Sequence, residues 1–370
     1  MKKCKKCILP ESYPGISFND EGICNFCLEY QPFHRYIGKD KLLEVLTSKA
    51  KTGQYDCVVP ISGGKDSTYI LYYIVKELGL NPIAVSYDSG FQVDISKENA
   101  KNACNILGVP LIIVKSPGNI SSRLLKESLL ASEKVGWFWH QCMNCEAIIR
   151  TVSINTAKTY KVPFVIWGSS ALESVDNKNY ENYKSLGKRR KVIPNTFLYY
   201  LTSKFMVLLK NPKKANKIPG HIYSFMGYHV VKFNFLSILQ RLRLNFPYRY
   251  SFKPHAIPPF SIKNPRFVHF FDYIPWDSIK NVKLLKDELN WKHPIENDSR
   301  FDCLIHCLVN YQFLKDHGIS LDGANLCNFV RESVMDREDA MNREIHIVNS
   351  IEIGCKALIN RFGIKNYRMP

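Results

Sequence analysis

Cys57-Val58-Val59-Pro60-Ile61-Ser62-Gly63-Gly64-Lys65-Asp66-Ser67 is the stretch on which the reading of this 370-residue chain turns. A short β-branched run leads into two glycines, a lysine and an aspartate between serines, and helical text from Tyr69 to Leu78 follows, closed by Gly79. The order predicts strand, tight loop and helix, with Ser67 opening the helix. Two glycines let backbone amides approach a ligand closely, and the helix N-terminus adds its dipole. Ser62, Lys65 and Ser67 add donors and charge, so a phosphate chain is the natural occupant. Asp66 would repel phosphate unless a divalent cation lay between them, which points to Mg²⁺-pyrophosphate. The spacing is neither the Walker pattern nor the dinucleotide G-x-G-x-x-G.

Outward from this loop the same alternation continues. Asp40 is expected to cap a helix through Leu42, Leu43, Val45 and Leu46. Apolar strands are expected at 83–87, 111–114 and 164–167, with helices at 94–107, stopped by Gly108, and near 143–160. Short apolar strands separated by helices are the pattern of βαβ units, hence an α/β fold with a doubly wound parallel sheet covered on both faces. Alternation returns at 267–271, a last strand, before a charged amphipathic tail from Leu321 to Phe362.

At the N-terminus, Cys4-Lys-Lys-Cys7 and Cys24-Asn-Phe-Cys27 are separated by 16 residues. Paired thiols at this spacing are a metal-site signature, and four thiolates satisfy tetrahedral Zn²⁺ with no position open for chemistry. Iron in the same cage is the chemical rival. The role is structural, since about 40 residues with so little apolar material would not order without metal.

Composition is ordinary for a globular chain, with 45% hydrophobic and 23% charged residues, so disorder and collagen-like repeats are excluded. The formal net charge of +18 first suggests a polyanionic partner. The charge is local, however: residues 186–270 carry 16 Lys or Arg, no Asp or Glu, and 16 of the 46 aromatic residues. The remaining 285 residues hold 35 basic and 33 acidic groups, a net of +2. Two amphipathic stretches, Thr196 to Leu209 and His229 to Leu244, lie in this basic aromatic insertion. It reads first as a lid over an anionic substrate, second as a contact with an acidic membrane surface, and third as an RNA-binding face. With no signal-peptide pattern and no apolar run of about 18 residues, a cytoplasmic location is expected, with the inner membrane surface as its outer limit.

Ser62-Gly63-Gly64-Lys65-Asp66-Ser67 after a first strand resembles the SGGxDS signature of PP-loop ATP pyrophosphatases, whose fold is PP-loop/HUP-like. By that resemblance ATP is the cofactor, cleaved between its α and β phosphates. Lys65 and Asp66 act on the pyrophosphate with Mg²⁺, which Asp66 ligates. Ser86 and Asp88 lie by the adenosine, and Gly168 and Ser169 close the nucleotide pocket. An ordered set of further features is similar to the N-acetyl sugar amidotransferases (WbpG-like). It comprises the cysteine pairs, Cys142-Met-Asn-Cys145-Glu146, Ile166-Trp167-Gly168, Trp291-Lys-His293-Pro294, Ser299-Arg300-Phe-Asp302-Cys303, Val330-Arg331-Glu332 and Arg337-Glu338-Asp339-Ala340. That resemblance implies adenylation of the acetamido group of a nucleotide-activated bacterial surface sugar, as in O-antigen biosynthesis, and replacement of its oxygen by ammonia to give an acetamidino group.

Residue 2 is Lys and no Gly-x-Cys-x-Gly elbow is present, so a separate glutaminase is expected to supply the ammonia. The resemblance suggests a partner pair similar to the glutaminase and cyclase-like subunits of histidine biosynthesis. The chain divides into a zinc knuckle (1–40), a PP-loop ATP-binding domain (41–185), the basic aromatic insertion (186–266) and a last strand with a helical C-terminal region (267–370).

Several residues carry two readings. Cys142 and Cys145 are structural or substrate-lining thiols, or ligands of a cluster as in tRNA thiolases. No cysteine lies between Cys145 and Cys303, so a cluster needs Cys303 or Cys307 to fold back. His140, His293 and His306 are hydrogen-bonded structural groups or proton carriers, His293 being preferred. Glu146 orients ammonia or ligates Mg²⁺, or is a first-turn acid favoured by its helix. Arg300 and Asp302 form an ion pair, or Arg300 binds a sugar carboxylate or diphosphate. Arg331, Arg337 and Arg343, alternating with Glu332, Glu338 and Glu344, read first as a solvated helical face and second as a docking surface. The rivals to a sugar amidotransferase are a tRNA-modifying PP-loop enzyme and a non-enzymatic zinc adaptor.

Overall fold

The computed structural model describes residues 2–31, 36–49, 53–115, 139–168, 265–293 and 302–362. Five strands, β1 (Cys57–Pro60), β2 (Pro82–Asp88), β3 (Leu111–Lys115), β4 (Phe164–Trp167) and β5 (Arg266–His269), form one sheet in the order β3-β2-β1-β4-β5. All neighbouring pairs run parallel. Strand residues alternate between two cores, as the period of two in a pleated strand requires. Cys57, Val59, Ala84, Phe164 and Ile166 face one core, while Val58, Ile83, Val85, Tyr87 and Val165 face the other. The sheet is therefore covered on both sides, as expected of a doubly wound fold.

The second face is closed by one long helix, α5 (Trp139–Thr159), through Ile148, Val152 and Ala157. The first face carries α2 (Lys39–Thr47), α3 (Lys65–Tyr72), which continues as a π turn over Tyr73–Glu77, and part of α4 (Asp94–Leu107), all following the short N-terminal α1 (Asn25–Leu28). The C-terminal helices α7 (His306–His317), α8 (Leu321–Arg331) and α9 (Arg337–Phe362) join that same core, and α6 (Ser278–Leu289) packs on α3 and α4. Local capping explains several ends. Asp277 accepts from the Lys280 amide at the start of α6, and Ser320 accepts from the Gly323 amide at the start of α8, each filling an orphan donor of the first turn.

Helix starts depart from the sequence reading in three places. Gly38, not Asp40, is the cap of α2, and Asp40 lies in the first turn, where the helix dipole still favours it. Helix α3 begins at Lys65 with Gly64 as its cap, so Ser67 lies within it. Helix α5 begins at Trp139, which leaves Cys145 and Glu146 inside the helix and removes the first-turn account of Glu146.

The tail is a larger correction. It is helical as expected, in two helices, but α8 is buried from Leu321 to Phe329. The alternating charges are only in part a solvated face: Glu338 is exposed, whereas Arg331, Glu332, Arg337 and Arg343 are half-buried and Glu344 is 3% exposed, accepting from the Ser320 amide at 2.7 Å and from its hydroxyl. Burial pushes the Glu344 carboxyl upward, against those hydrogen bonds. No helix among the described residues is long and apolar enough to cross a membrane. Residues 186–264 of the insertion read at 186–266, with both amphipathic stretches, lie outside the described residues, and Arg266 at its end opens β5.

Candidate active site and cysteine centre

Strand order reverses between β1 and β4, because the chain leaves β1 for β2 on one side and returns on the other. At such a switch point the loops at the carboxyl ends of the two strands diverge and leave a crevice where α/β proteins bind ligands. Ser62 to Ser67 follow β1 there, and Gly168, which follows β4, lies against Ile70 of α3. The loop is tightly bound to itself. The Ser62 amide donates to Ser67 Oγ at 3.1 Å, the Gly64 amide to Ser62 Oγ at 3.2 Å, and Ser67 Oγ to the Gly64 carbonyl at 3.2 Å.

Gly63 has φ +83°, and a Cβ placed on it would sit 1.8 Å from the Ser96 carbonyl oxygen at the start of α4. Only glycine fits this contact. From distant sequence, Trp291 Nε1 donates to the Gly63 carbonyl at 3.0 Å and Trp276 Nε1 to Asp66 Oδ1 at 2.9 Å. Lys65 Nζ pairs with Asp66 Oδ2 at 3.0 Å, both side chains mostly covered, and lies 5.3 Å from the centroid of the Trp276 ring. The Asp302 carboxylate reaches the loop as well, 3.1 Å from the position of a Cβ on Gly64.

Three buried polar atoms around this crevice, Gln92 Oε1, Ser96 Oγ and Thr68 Oγ1, have no partner among the described residues. Buried acceptors and hydroxyls are almost always satisfied, so water or a ligand is called for. The residues present thus fit a phosphate chain with a divalent cation: amides and a lysine for the anion, and Asp66, whose Oδ2 is paired with Lys65.

Among the remaining residues singled out from sequence, Ser86 is buried in β2, and Asp88 at its end pairs with Lys97 at 3.5 Å and accepts from the Gly90 amide. His293 packs edge-on to Trp291, with centroids 5.5 Å apart, which links it to the loop through the Trp291 indole. Glu146 is held within its own helix. It accepts from Arg150 Nε at 2.8 Å, and that guanidinium lies 4.2 Å from the Trp167 ring centroid. His306 Nε2 bonds Asp322 Oδ2 at 2.6 Å, and Asn310 donates to the same oxygen. Ser169, Arg300 and the side chains of His140 and Cys142 lie outside the described residues.

The Cys303 backbone forms an isolated antiparallel bridge with Gln92, and the Leu304 amide donates to the Phe91 carbonyl at 2.8 Å, which sets Cys303 beside the loop after β2. Cys307 turns away toward Cys355, and that hydrogen bond together with burial holds its thiol far above the ordinary range. Trp276 and Gln92 escaped the sequence reading. The only signal for Trp276 is an isolated Ile-Pro-Trp-Asp after the last strand, an aromatic with a polar tip beside a turn.

The four N-terminal cysteines converge with sulfur atoms within 4.8 Å of one another, all buried. Cys4 and Cys27 sulfurs are 4.0 Å apart and those of Cys7 and Cys24 3.8 Å, close to the spacing of about 3.8 Å that tetrahedral Zn–S bonds of about 2.3 Å impose. Backbone amides of Lys6, Cys7 and Cys24 point at Cys4 Sγ, as in a knuckle. Their mutual hydrogen bonds, chiefly with Cys24, hold Cys4 and Cys27 below the usual thiol range, while Cys7 and Cys24 are pushed above it. A divalent cation binds such thiols as thiolates and releases their protons. The set fits a closed four-thiolate site.

What holds this centre comes from the other end of the chain. Arg331 donates through Nε to Cys27 Sγ at 3.5 Å and through a terminal nitrogen to Cys7 Sγ at 3.7 Å, and its other terminal nitrogen is anchored on Asn328. Arg337 Nε donates to the carbonyls of Cys4 and Cys7 at 3.1 and 3.0 Å. Four thiolates with a divalent cation leave a net charge of two minus, which a buried guanidinium partly offsets. Arg331→Met is therefore expected to weaken metal retention by about 10- to 100-fold, measured by chelator competition with a chromogenic dye. A retention equal to the wild type would show that the guanidinium is packing alone.

No family model matches the chain. Among curated proteins it is similar to an uncharacterised protein of Methanocaldococcus jannaschii, 25% identical over 170 residues, which is 45% of this chain and 58% of that protein. It is also similar to the tRNA-5-methyluridine(54) 2-sulfurtransferase of Pyrococcus horikoshii, 30% identical over 115 residues, 30% of this chain and 35% of that enzyme. The chain thus spans just over half of one relative's length and about a third of the other's. Solved structures with a partial likeness include an NMN synthetase from Francisella tularensis, with TM-score 0.26 and 21% identity over 36% of this chain and 54% of that one. Another is an NH3-dependent NAD synthetase from Campylobacter jejuni in complex with the nitrate ion, with TM-score 0.28 and 16% identity over 59% of this chain and 96% of that one.

Proposed function

We propose that this chain is an ATP-dependent enzyme, forming AMP and pyrophosphate, that converts the acetamido group of a nucleotide-activated sugar into an acetamidino group. The observation that carries the reading is the loop Ser62 to Ser67 at the switch point, with Lys65 and Asp66 paired at its centre and Asp302 beside Gly64. Loop amides and Lys65 bind the β and γ phosphates. Asp66 would hold Mg²⁺, which would supply positive charge against the departing pyrophosphate. The acetamido oxygen attacks the α-phosphorus as the bond to pyrophosphate breaks, giving an O-adenylated imidate. Ammonia then adds to the imidate carbon, one proton leaves, and AMP departs with the former amide oxygen. His293, held against Trp291, is the proton carrier in this reading. Ammonia comes from a separate glutaminase, and zinc fills the four-cysteine site as a structural ion.

Purified protein given ATP, Mg²⁺, ammonium and a diacetamido nucleotide sugar is expected to release AMP only when both sugar and ammonium are present, whereas one equivalent of pyrophosphate needs the sugar alone. Absence of AMP under these conditions would sink the proposal. A second reading, a tRNA-modifying enzyme, is favoured by the local similarity to a tRNA sulfurtransferase and by the return of Cys303 to the crevice. It requires tight tRNA binding with a steep salt dependence, read by filter binding across a salt series.

A further inference from the structure

We propose that Trp276 is the positioning residue for Asp66, fixing which carboxylate oxygen a divalent cation can take. The inference rests on the reading of the glycine loop as a site for Mg²⁺-bound phosphates and extends it to a residue 210 positions away. Trp276 follows β5 and is 7% exposed, its ring tilted by 36° against Phe329 of α8 with centroids 4.5 Å apart. From there the indole makes two contacts with the loop. Its Nε1 donates to Asp66 Oδ1 at 2.9 Å, and its face lies under the Lys65 ammonium, 5.3 Å from the ring centroid.

The two oxygens of Asp66 are therefore held by groups of different character. An indole N–H is a donor only and is costly to leave unpaired when buried, so Oδ1 stays bound whatever occupies the crevice. Lys65 is a point charge on a flexible stem, and its bond to Oδ2 is exchangeable. When a phosphate draws Lys65 away, Oδ2 is freed in a fixed direction, and the cation meets a carboxylate that does not need to reorient. A hydrogen bond to a ligating carboxylate of this kind is commonly worth a factor of about 10 to 100 in metal affinity.

Calorimetric titration of the full chain with ATP across a Mg²⁺ series tests this. Trp276→Phe keeps a ring against Phe329 and beneath Lys65 but removes the N–H. It is expected to raise the Mg²⁺ concentration for half-maximal ATP binding by about 10- to 100-fold, while ATP binding in EDTA is unchanged. Phe329→Leu, which trims the ring contact and keeps the N–H, is expected to lower the melting temperature without moving the Mg²⁺ midpoint. An unmoved midpoint in Trp276→Phe, or an equal loss of metal-free and Mg²⁺-supported binding, overturns the positioning role and leaves the loop reading standing. Wild-type protein that binds ATP in neither condition removes the loop reading itself and the positioning role with it. Independent of any variant, the Trp276 indole proton of the wild type is expected to resist solvent exchange with and without Mg²⁺-ATP, and free exchange would also overturn the role.

Discussion

Replacing Cys24 with serine, or adding a chelator to metal-loaded protein, is expected to unfold both ends of the chain together. The four sulfurs are almost wholly buried, and they belong to the same core as Leu326, Phe329, Ile347 and the first face of the sheet. Arg331 and Arg337 bind the sulfurs and carbonyls of the centre, Tyr30 donates to Glu332, and Ser12 donates to the His317 carbonyl at 2.8 Å. Losing metal leaves up to four buried thiolates or thiols against a buried guanidinium with no cation between them. Structural zinc contributes about 10 to 16 kcal/mol in small zinc-dependent folds, comparable with the entire stability of an ordinary domain. If only about 5 kcal/mol of that is felt here, the melting temperature falls by roughly 10–20 °C. Exchange mass spectrometry is expected to show loss of protection in residues 321–362 as well as in 2–31. Protection lost from 2–31 alone would mean an autonomous knuckle and refute the joint. Cys104→Ala, a buried cysteine outside the centre, is the control and is expected to cost about 1 kcal/mol.

This joint also marks where sequence reading stops. The strand, glycine loop and helix were legible because each carries a local signal: β-branched runs, paired glycines and an apolar period that changes from two to 3.6. The cysteine pairs were legible because chelation imposes a spacing on neighbouring residues. The alternating arginines and glutamates of the tail carry no such signature. On a helix the same letters serve a solvated face or a clasp on another element, and the choice depends on Cys4, Cys7 and Cys27, more than 300 residues away. Trp276 is the same case, since nothing in its neighbourhood states that its indole will meet Asp66. Residues that act by closing long loops are decided by tertiary packing, which single-residue patterns do not encode.

Packing also separates two glycines that look alike in sequence, and the difference sets the sharpest prediction for the crevice. Gly79 has φ +64° with nothing within 4 Å of a Cβ, whereas Gly63 has φ +83° with the Ser96 carbonyl oxygen at 1.8 Å and the Ala100 amide nitrogen at 3.1 Å. Gly79→Ala pays backbone strain alone, about 1 to 2 kcal/mol. Gly63→Ala adds a clash with backbone atoms at the start of α4, which cannot swing aside as a side chain would, so about 3 kcal/mol or more is expected. Relief requires the loop to move away from α4. That movement breaks the bond from Trp291 to the Gly63 carbonyl and misdirects the Gly64 amide, which now donates to Ser62 Oγ. Anion binding depends on amides aimed within a few tenths of an ångström, so ATP affinity is expected to fall by at least 100-fold in Gly63→Ala and to stay near wild type in Gly79→Ala. Thermal unfolding and ATP calorimetry on the two variants side by side decide it: equal melting temperatures and equal ATP affinities would show that the contact with Ser96 does not shape the loop.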